Sequence, residues 1–395
     1  MNSRLLITLA IALLLAAGTF VAIRFAKGYR LNFGEKKVTP TGLLLANSYP
    51  EAASVYINEK LTTATNDTLH LPPGEYQVKI VKDGFIPWEK KLKLEKEIVT
   101  QTNARLFPSV PDLRALTLTG AINPTPSLNG QKIAYAVASS SAELKNGLWV
   151  YDLGDRTLKL GSDQRQIARN TKDIDFTKAS LAWSPDAKQI LVSTPDEENY
   201  LLSAEQMNNS LTLNDVSARL PLILEEWQES LKLIEEKKLE ALPDFMQKVA
   251  TASATQVVFS PDETKMLYTA TASATIPENL LEKELPGSST QEEQREISEG
   301  KIYVYDLEED KNFQQPVANN QSPVNWFSNS RHLILVEDEK ISIVEYDATN
   351  LATIYAGDFK ENFVHPTPTG NALLILTSLS PDPEAPVNLY SLDLK

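Results

Sequence analysis

The chain of 395 residues contains no cysteine. That excludes disulfides, thiolate metal sites, a cysteine nucleophile and attachment through a lipidated cysteine, while leaving the compartment open. Histidine is scarce: His70, His332 and His365 are the only three, far apart in sequence. Packing or surface roles suit them better than catalysis. The signatures His-Glu-x-x-His and Gly-x-Ser-x-Gly are missing, as are P-loop and dinucleotide glycine patterns. Positive charge is in deficit, with 38 Lys+Arg against 52 Asp+Glu and a net charge of −14. That balance argues against a nucleic-acid partner, which needs clustered Lys and Arg to neutralise phosphates. No residue set is therefore assigned to catalysis, a cofactor or a metal, and the chain is read as not an enzyme.

What is present begins with a charge asymmetry. Residues 1–110 hold 14 Lys and Arg against 9 Asp and Glu, and the rest of the chain holds 24 against 43. A basic first part and an acidic second part fit a membrane-proximal module followed by a solvated domain, although Lys-rich strand faces can also simply be solvated. Residues 5–23 form an uncharged apolar run of 19 residues, flanked by Arg4 and by Arg24, Lys27 and Arg30. At about 1.5 Å per residue this spans roughly 28 Å, the scale of a hydrocarbon core. The spacing predicts a transmembrane anchor within residues 1–30. A cleaved signal peptide is the competing reading, since Ala16-Ala17-Gly18 offers small residues, but apolarity continues past that point through Ile23. The positive flank alone would place the bulk of the chain in the cytoplasm.

From residue 38 to 107 the pattern alternates with period two. Runs such as Ala53-Ser54-Val55-Tyr56-Ile57, Glu75-Tyr76-Gln77-Val78-Lys79-Ile80 and Trp88-Glu89-Lys90-Lys91-Leu92 are punctuated by Pro73-Gly74 and Asp83-Gly84. They predict four or five short antiparallel strands in a small β-sandwich. The stretch Tyr49-Pro50-Glu51-Ala52-Ala53, followed by Pro73-Gly74-Glu75-Tyr76 and Gly84-Phe85, resembles the PEGA domain. Ala52 stands where that motif has glycine, so the turn must tolerate a Cβ. The resemblance implies an extracytoplasmic sandwich without chemistry of its own. It places the bulk of the chain outside the membrane, against the charge count.

Residues 108–395 carry a repeated unit, clearest at Ala182-Trp183-Ser184-Pro185-Asp186-Ala187 and Val258-Phe259-Ser260-Pro261-Asp262-Glu263. An apolar pair, a polar turn and a strand-like run recur five times, with turn positions Gly130, Ala187, Glu263, Ser330 and Gly370. Proline presets φ, and the Asp or Asn side chain bonds back to the backbone. Asp186 and Asp262 are therefore read as turn staples and not metal ligands, and Trp183 and Trp326 as fillers between units. Four copies are followed by a second strand, as in Trp149-Val150-Tyr151-Asp152. The pattern resembles the WD40-like or TolB-type β-propeller repeat. It implies a propeller of at least five blades, with the strand-like residues 113–119 available to close it or to begin a sixth.

Two insertions separate the copies. Within 204–250, Leu220, Leu224, Trp227, Leu231 and Ile234 share one face of a predicted helix, and Pro243 breaks it or begins a second. Residues 270–300 are polar and predict a mobile loop. The carboxylates Glu308, Glu309 and Asp310 follow a strand and predict a solvated loop. The fold class is thus mainly β: an N-terminal transmembrane helix, a PEGA-like sandwich, then a propeller with a helical insertion. The expected function is envelope-anchored binding of a protein or glycan, with Trp227, Leu231 and Ile234 as candidate partner-binding residues if their stripe does not cover the propeller edge. A propeller accessory of a peptidase-like hydrolase and a structural cell-surface spacer are the alternatives.

Overall fold

In the computed structural model the described residues are 3–26, 30–32, 37–39, 41–138, 143–154, 163–281, 289–317, 324–360, 362–382 and 385–395. The chain divides into two units, Met1–Phe107 with Glu284–Glu292, and Pro108–Lys283 with Glu293–Lys395. Strands dominate both, and the helices are few.

The first unit opens with helix α1, Ser3–Ala26, whose described side chains, residues 7–23, are exposed. Among the described residues no helix is long and apolar enough to cross a membrane. The anchor expected over residues 5–23 is therefore not established by them. A short hairpin, Arg30–Asn32 with Lys37–Thr39, follows.

Beyond it the alternating sequence folds as two layers. One sheet orders Lys60–Ala64, Ser54–Ile57, Gly74–Val81 and Trp88–Leu94, all antiparallel. The other side differs from the antiparallel expectation. Val99–Gln101 runs parallel to Gly42–Ala46, and Ala104–Arg105 runs parallel to Ser48–Tyr49. A parallel pair needs a long crossover, and the strands between residues 46 and 99 supply it. Leu44, Val55, Val78, Ile80, Trp88, Leu92 and Leu94 form the core between the layers. In Trp88–Leu94 alternate residues are buried, and the intervening Glu89, Lys91 and Lys93 are exposed. Thr290 and Gln291 of the segment Glu284–Glu292 donate to the Lys91 carbonyl at 3.1 and 2.9 Å.

Ala52 has φ 58°, so the turn does adopt the left-handed conformation that the glycine of the motif would favour. It is exposed, so losing its methyl forfeits little packing. Ala52→Gly is expected to stabilise this unit by about 0.5–1 kcal/mol, the relief of αL strain less the entropy glycine adds to the unfolded chain. A denaturant melt measures it; an unchanged or lowered midpoint would show the turn to be unstrained.

The second unit is a succession of five antiparallel meanders. Sheet 1 comprises Ile122–Pro126, Lys132–Val137, Gly147–Asp152 and Gln164–Arg169. Sheet 2 has three strands, Ser180–Trp183, Gln189–Ser193 and Asn199–Ser203. Sheet 3 comprises Ala254–Phe259, Lys265–Ala270, Ile302–Asp306 and Lys311–Gln314. Sheet 4 comprises Val324–Trp326, His332–Glu337, Lys340–Glu345 and Ala352–Ala356. Sheet 5 joins Val364–Pro366, Ala372–Thr377 and Asn388–Asp393 to Leu113–Ala115, so the start and end of the unit share one sheet. Among the described residues no sheet closes on itself.

Each repeat builds the same turn. Backbone N–H groups of Gly130, Ala187, Glu263, Ser330 and Gly370 donate three residues back at 2.8–3.1 Å, and all five residues have φ between 55° and 68°. This is a type I turn ending in an αL residue, the connection that suits twisted hairpins. Side chains pin it: Ser184 Oγ donates to Asp186 Oδ1 at 2.7 Å, and Lys188 N donates to the same oxygen at 3.1 Å. Ser260, Asp262 and Thr264 repeat the arrangement at 2.6 and 3.1 Å.

Neighbouring sheets are joined through these turns. Trp183 Nε1 of sheet 2 donates to the Thr125 carbonyl of sheet 1 at 2.9 Å. Trp326 Nε1 of sheet 4 donates to the Val258 carbonyl of sheet 3 at the same distance. The two indoles occupy equivalent repeat positions, so one local sequence choice sets two seams. Ser328 Oγ reaches the Thr367 carbonyl between sheets 4 and 5, and His365 lies 3.4 Å from the Gly130 carbonyl between sheets 5 and 1.

Candidate functional site

Two helices occupy the stretch between sheets 2 and 3. Helix α2 runs Leu220–Glu240 with proline in its first turn, and α3 runs Asp244–Ala252 after Pro243. Pro243 ends the first because its ring cannot continue the hydrogen-bond ladder. Helix α3 is amphipathic and buries Met246, Val249 and Ala250 against Met266, Tyr268 and Tyr303 of sheet 3.

Helix α2 behaves differently. Ile223 is its one buried residue. Trp227 is half-buried, while Leu231 and Ile234 are 37% and 48% exposed. The three candidate residues do share a face, and the body of the unit does not cover it. Its C-terminal end is held: Lys238 Nζ lies 3.1 Å from Glu263 Oε1 and 6.0 Å from the Phe259 ring centroid. An exposed amphipathic helix fixed at one end can receive another apolar surface.

The histidines do not assemble into a site. His70 is exposed on a strand of the first unit. His332 is buried in sheet 4, edge-on to Phe327, with Nδ1 3.0 Å from Asn329 Nδ2. His365 sits at the seam of sheets 5 and 1, where burial pushes its pKa down, partly offset by the Gly130 carbonyl. The folded pKa is thus below the unfolded one. Above about pH 6.5 both states are neutral; below it the unfolded chain gains a proton that the native state refuses. Stability is expected to fall as pH drops from about 6.5 towards the folded pKa. His365→Gln should flatten that part of a stability–pH curve, and an unchanged slope would contradict the assignment.

The turn carboxylates act as staples. Ser184 holds the Asp186 pKa down, and Asp262 is also lowered because bonds from Ser260 and Thr264 outweigh its burial. Among the described residues no group of His, Asp or Glu is placed to hold a metal ion.

The solvated-loop expectation holds for the exposed Glu308 and fails for Glu309 and Asp310. Asp310 is fully buried and Glu309 nearly so. The Asp310 carboxylate accepts from Tyr305 Oη at 2.8 Å, Leu280 N at 2.8 Å and Arg295 Nη1 at 3.3 Å. Arg295 also donates to the Pro277 carbonyl at 2.6 Å. Burial opposes the Arg295 charge but Asp310 outweighs it and raises the pKa, while burial and Asp310 together push Tyr305 up. Residues 270–300 are therefore not simply a loop. A two-stranded hairpin, Ala274–Thr275 with Glu296–Ile297, is tied by this network to sheet 3. A second buried pair, Lys265 and Asp306 at 3.4 Å, lies where Lys265 Nζ is 4.8 Å from the Tyr346 ring centroid. Both Asp310 oxygens accept from protein donors, Oδ1 from Tyr305 and Arg295 and Oδ2 from Leu280. These residues escaped the sequence reading because their partners lie 15 to 30 residues away on the hairpin.

Residues 41–109 match the PEGA domain. The PEGA domain thus coincides with the layered strands around Trp88, and Ala52 is its departure from the motif. No curated protein matches the chain. Among solved structures, one described as TolB from Agrobacterium tumefaciens is similar at 14% identity, covering 73% of this chain and 80% of its own, with a TM-score of 0.24. TolB from Acinetobacter baumannii is similar at 13% identity, covering 81% and 60%, with a TM-score of 0.22. An acylaminoacyl peptidase from Pyrococcus horikoshii is similar at 12% identity, covering 70% and 39%, with a TM-score of 0.22. Likeness at this level carries no argument about activity or partners.

Proposed function

We propose that the chain is a non-catalytic binding protein attached to the outside of a cell membrane, with a PEGA domain followed along the chain by a five-bladed propeller. The propeller reading rests on five meanders with one common turn, on seams between sheets 1 and 2, 3 and 4, 4 and 5, and 5 and 1, and on a last sheet completed by Leu113–Ala115. Attachment rests on the uncharged run at residues 5–23 and its basic flanks. The observation that carries a binding role is α2, which leaves Leu231 and Ile234 exposed beside a half-buried Trp227.

A photo-crosslinking residue at Leu231 in intact cells tests this reading against the same residue at Asp186. Crosslinks to a discrete protein from position 231, with none from the turn at 186, are expected. Crosslinks from neither position, or turnover of a peptide or glycan library by the purified chain, would overturn it.

A further inference from the structure

Of the five meanders sheet 2 alone has three strands, and the chain that follows its last strand runs back to sheet 1. Asn208 Nδ2 donates to the Ser203 carbonyl of sheet 2 and to the Ile167 carbonyl of sheet 1, each at 2.9 Å. Ser210 Oγ accepts from Arg169 N at 3.0 Å. Between residues 169–173 and 207–211 lies an open cleft of about 670 Å³, a volume within the range of ligand sites. Its walls are set before any ligand arrives. Asn170 donates to Asp175 Oδ1 at 3.1 Å and accepts from Phe176 N at 3.3 Å. Thr171 Oγ1 accepts from Ile174 N at 3.0 Å, and Asn209 Oδ1 from Leu211 N at 3.2 Å. Loops already ordered lose less entropy on binding.

Charge marks the cleft. Lys132, Arg165, Lys178 and Lys188 of the same region each lie 3.6–3.9 Å from a carboxylate. Arg169 and Lys172 line the cleft, are exposed, and have no carboxylate partner among the described residues. Asp173 is the one acidic lining residue. On the other wall Met207 and Leu211 are 47% and 84% exposed. Two unpaired cations beside two exposed aliphatic residues suit a carboxylate joined to an apolar group. Other occupants fit worse. Sugar rings lay their C–H faces on aromatic rings, whose faces are partly negative, and no lining residue is aromatic. Two cations on a chain of net charge −14 cannot neutralise a run of phosphates.

We propose that this cleft binds an acidic peptide segment, one in which Asp or Glu sits beside aliphatic side chains. The planar fork of Arg169 takes a carboxylate in two bonds and Lys172 adds a second positive charge. The aliphatic side chains of the peptide cover Met207 and Leu211, and Asp173 is left to accept a peptide N–H. The site is separate from α2 and does not rest on the reading of that helix.

The test uses the full chain in mild detergent with a labelled peptide, acetyl-Leu-Glu-Leu-Asp-Leu-amide, and its counterpart with Gln and Asn for Glu and Asp. The chain is acidic overall, so an acidic peptide gains nothing from general attraction and its binding reports a local site. Fluorescence anisotropy is expected to show the acidic peptide binding at least about tenfold more tightly than the neutral one. Arg169→Gln combined with Lys172→Gln should weaken that binding by about tenfold or more, and Leu211→Ser by about threefold. Lys188→Gln, whose lysine pairs with Asp186 outside the cleft, should leave it unchanged. If the double variant fails to fold, Lys172→Gln alone replaces it with a smaller loss in the same direction. Failure of the acidic peptide to bind, equal binding of both peptides, or binding that the double variant keeps would each overturn the proposal. Tighter binding of an oligogalacturonate than of the peptide would also overturn it, by giving the cleft to an acidic glycan.

Discussion

Replacing Asp310 with alanine is expected to destabilise sheet 3 by about 3–5 kcal/mol, the cost of removing one member of a buried ion pair. Three donors converge on its carboxylate: Tyr305 Oη, Leu280 N and Arg295 Nη1. Alanine leaves Arg295, whose side chain is 15% exposed, with Glu293 at 2.9 Å as its remaining carboxylate and strands the Tyr305 hydroxyl as well. Asparagine keeps one acceptor oxygen in place of two, so it can serve either Tyr305, which meets Oδ1, or Leu280, which meets Oδ2, and it lacks the charge; Asp310→Asn should lose about 1–3 kcal/mol. Denaturant midpoints and hydrogen exchange on Ile302–Asp306 measure both. A loss below about 1 kcal/mol for Asp310→Ala would mean that the network contributes little net stability.

Trp88→Ala is the second large effect, expected to cost the PEGA domain about 3–5 kcal/mol. Trp88 is 2% exposed and packs with Val55, Ile80 and Leu92 at the centre of the sandwich. Its indole fills space that the aliphatic neighbours cannot reach without backbone movement, so the site would keep a cavity. Faster exchange in Ser54–Ile57 and Gly74–Val81, with sheets 3 and 4 unchanged, is the expected signature. Equal acceleration in both units would contradict a separate core around Trp88.

The features legible in the sequence were those that a few adjacent residues decide. The turn at Ser184-Pro185-Asp186-Ala187 is one, because its φ values and side-chain bonds are all local. The strand Asn199–Ser203 of sheet 2 leaves less trace, since it lacks the acidic ending of the other copies, Asp152, Asp306, Asp347 and Asp393. Long-range choices were hidden for a different reason. The parallel pairing of Val99–Gln101 with Gly42–Ala46 leaves no trace in a period-two pattern. Asp310 resembles any acidic loop residue until Arg295 is brought to it from the hairpin. For α2 the stripe was visible from spacing alone, but its exposure depends on what the body leaves uncovered.

The repeats, on this account, are folding devices, and the specific surface lies on α2. Trp227→Glu tests that division most directly, with folding and partner capture measured on the same protein. The account predicts a loss of stability below about 1.5 kcal/mol, because Trp227 is only half-buried, together with loss of the crosslink formed from position 231. A protein that loses several kcal/mol or fails to fold would place Trp227 in the packing of the unit, and one that stays folded and keeps the crosslink would remove Trp227 from the partner surface; either result contradicts the account.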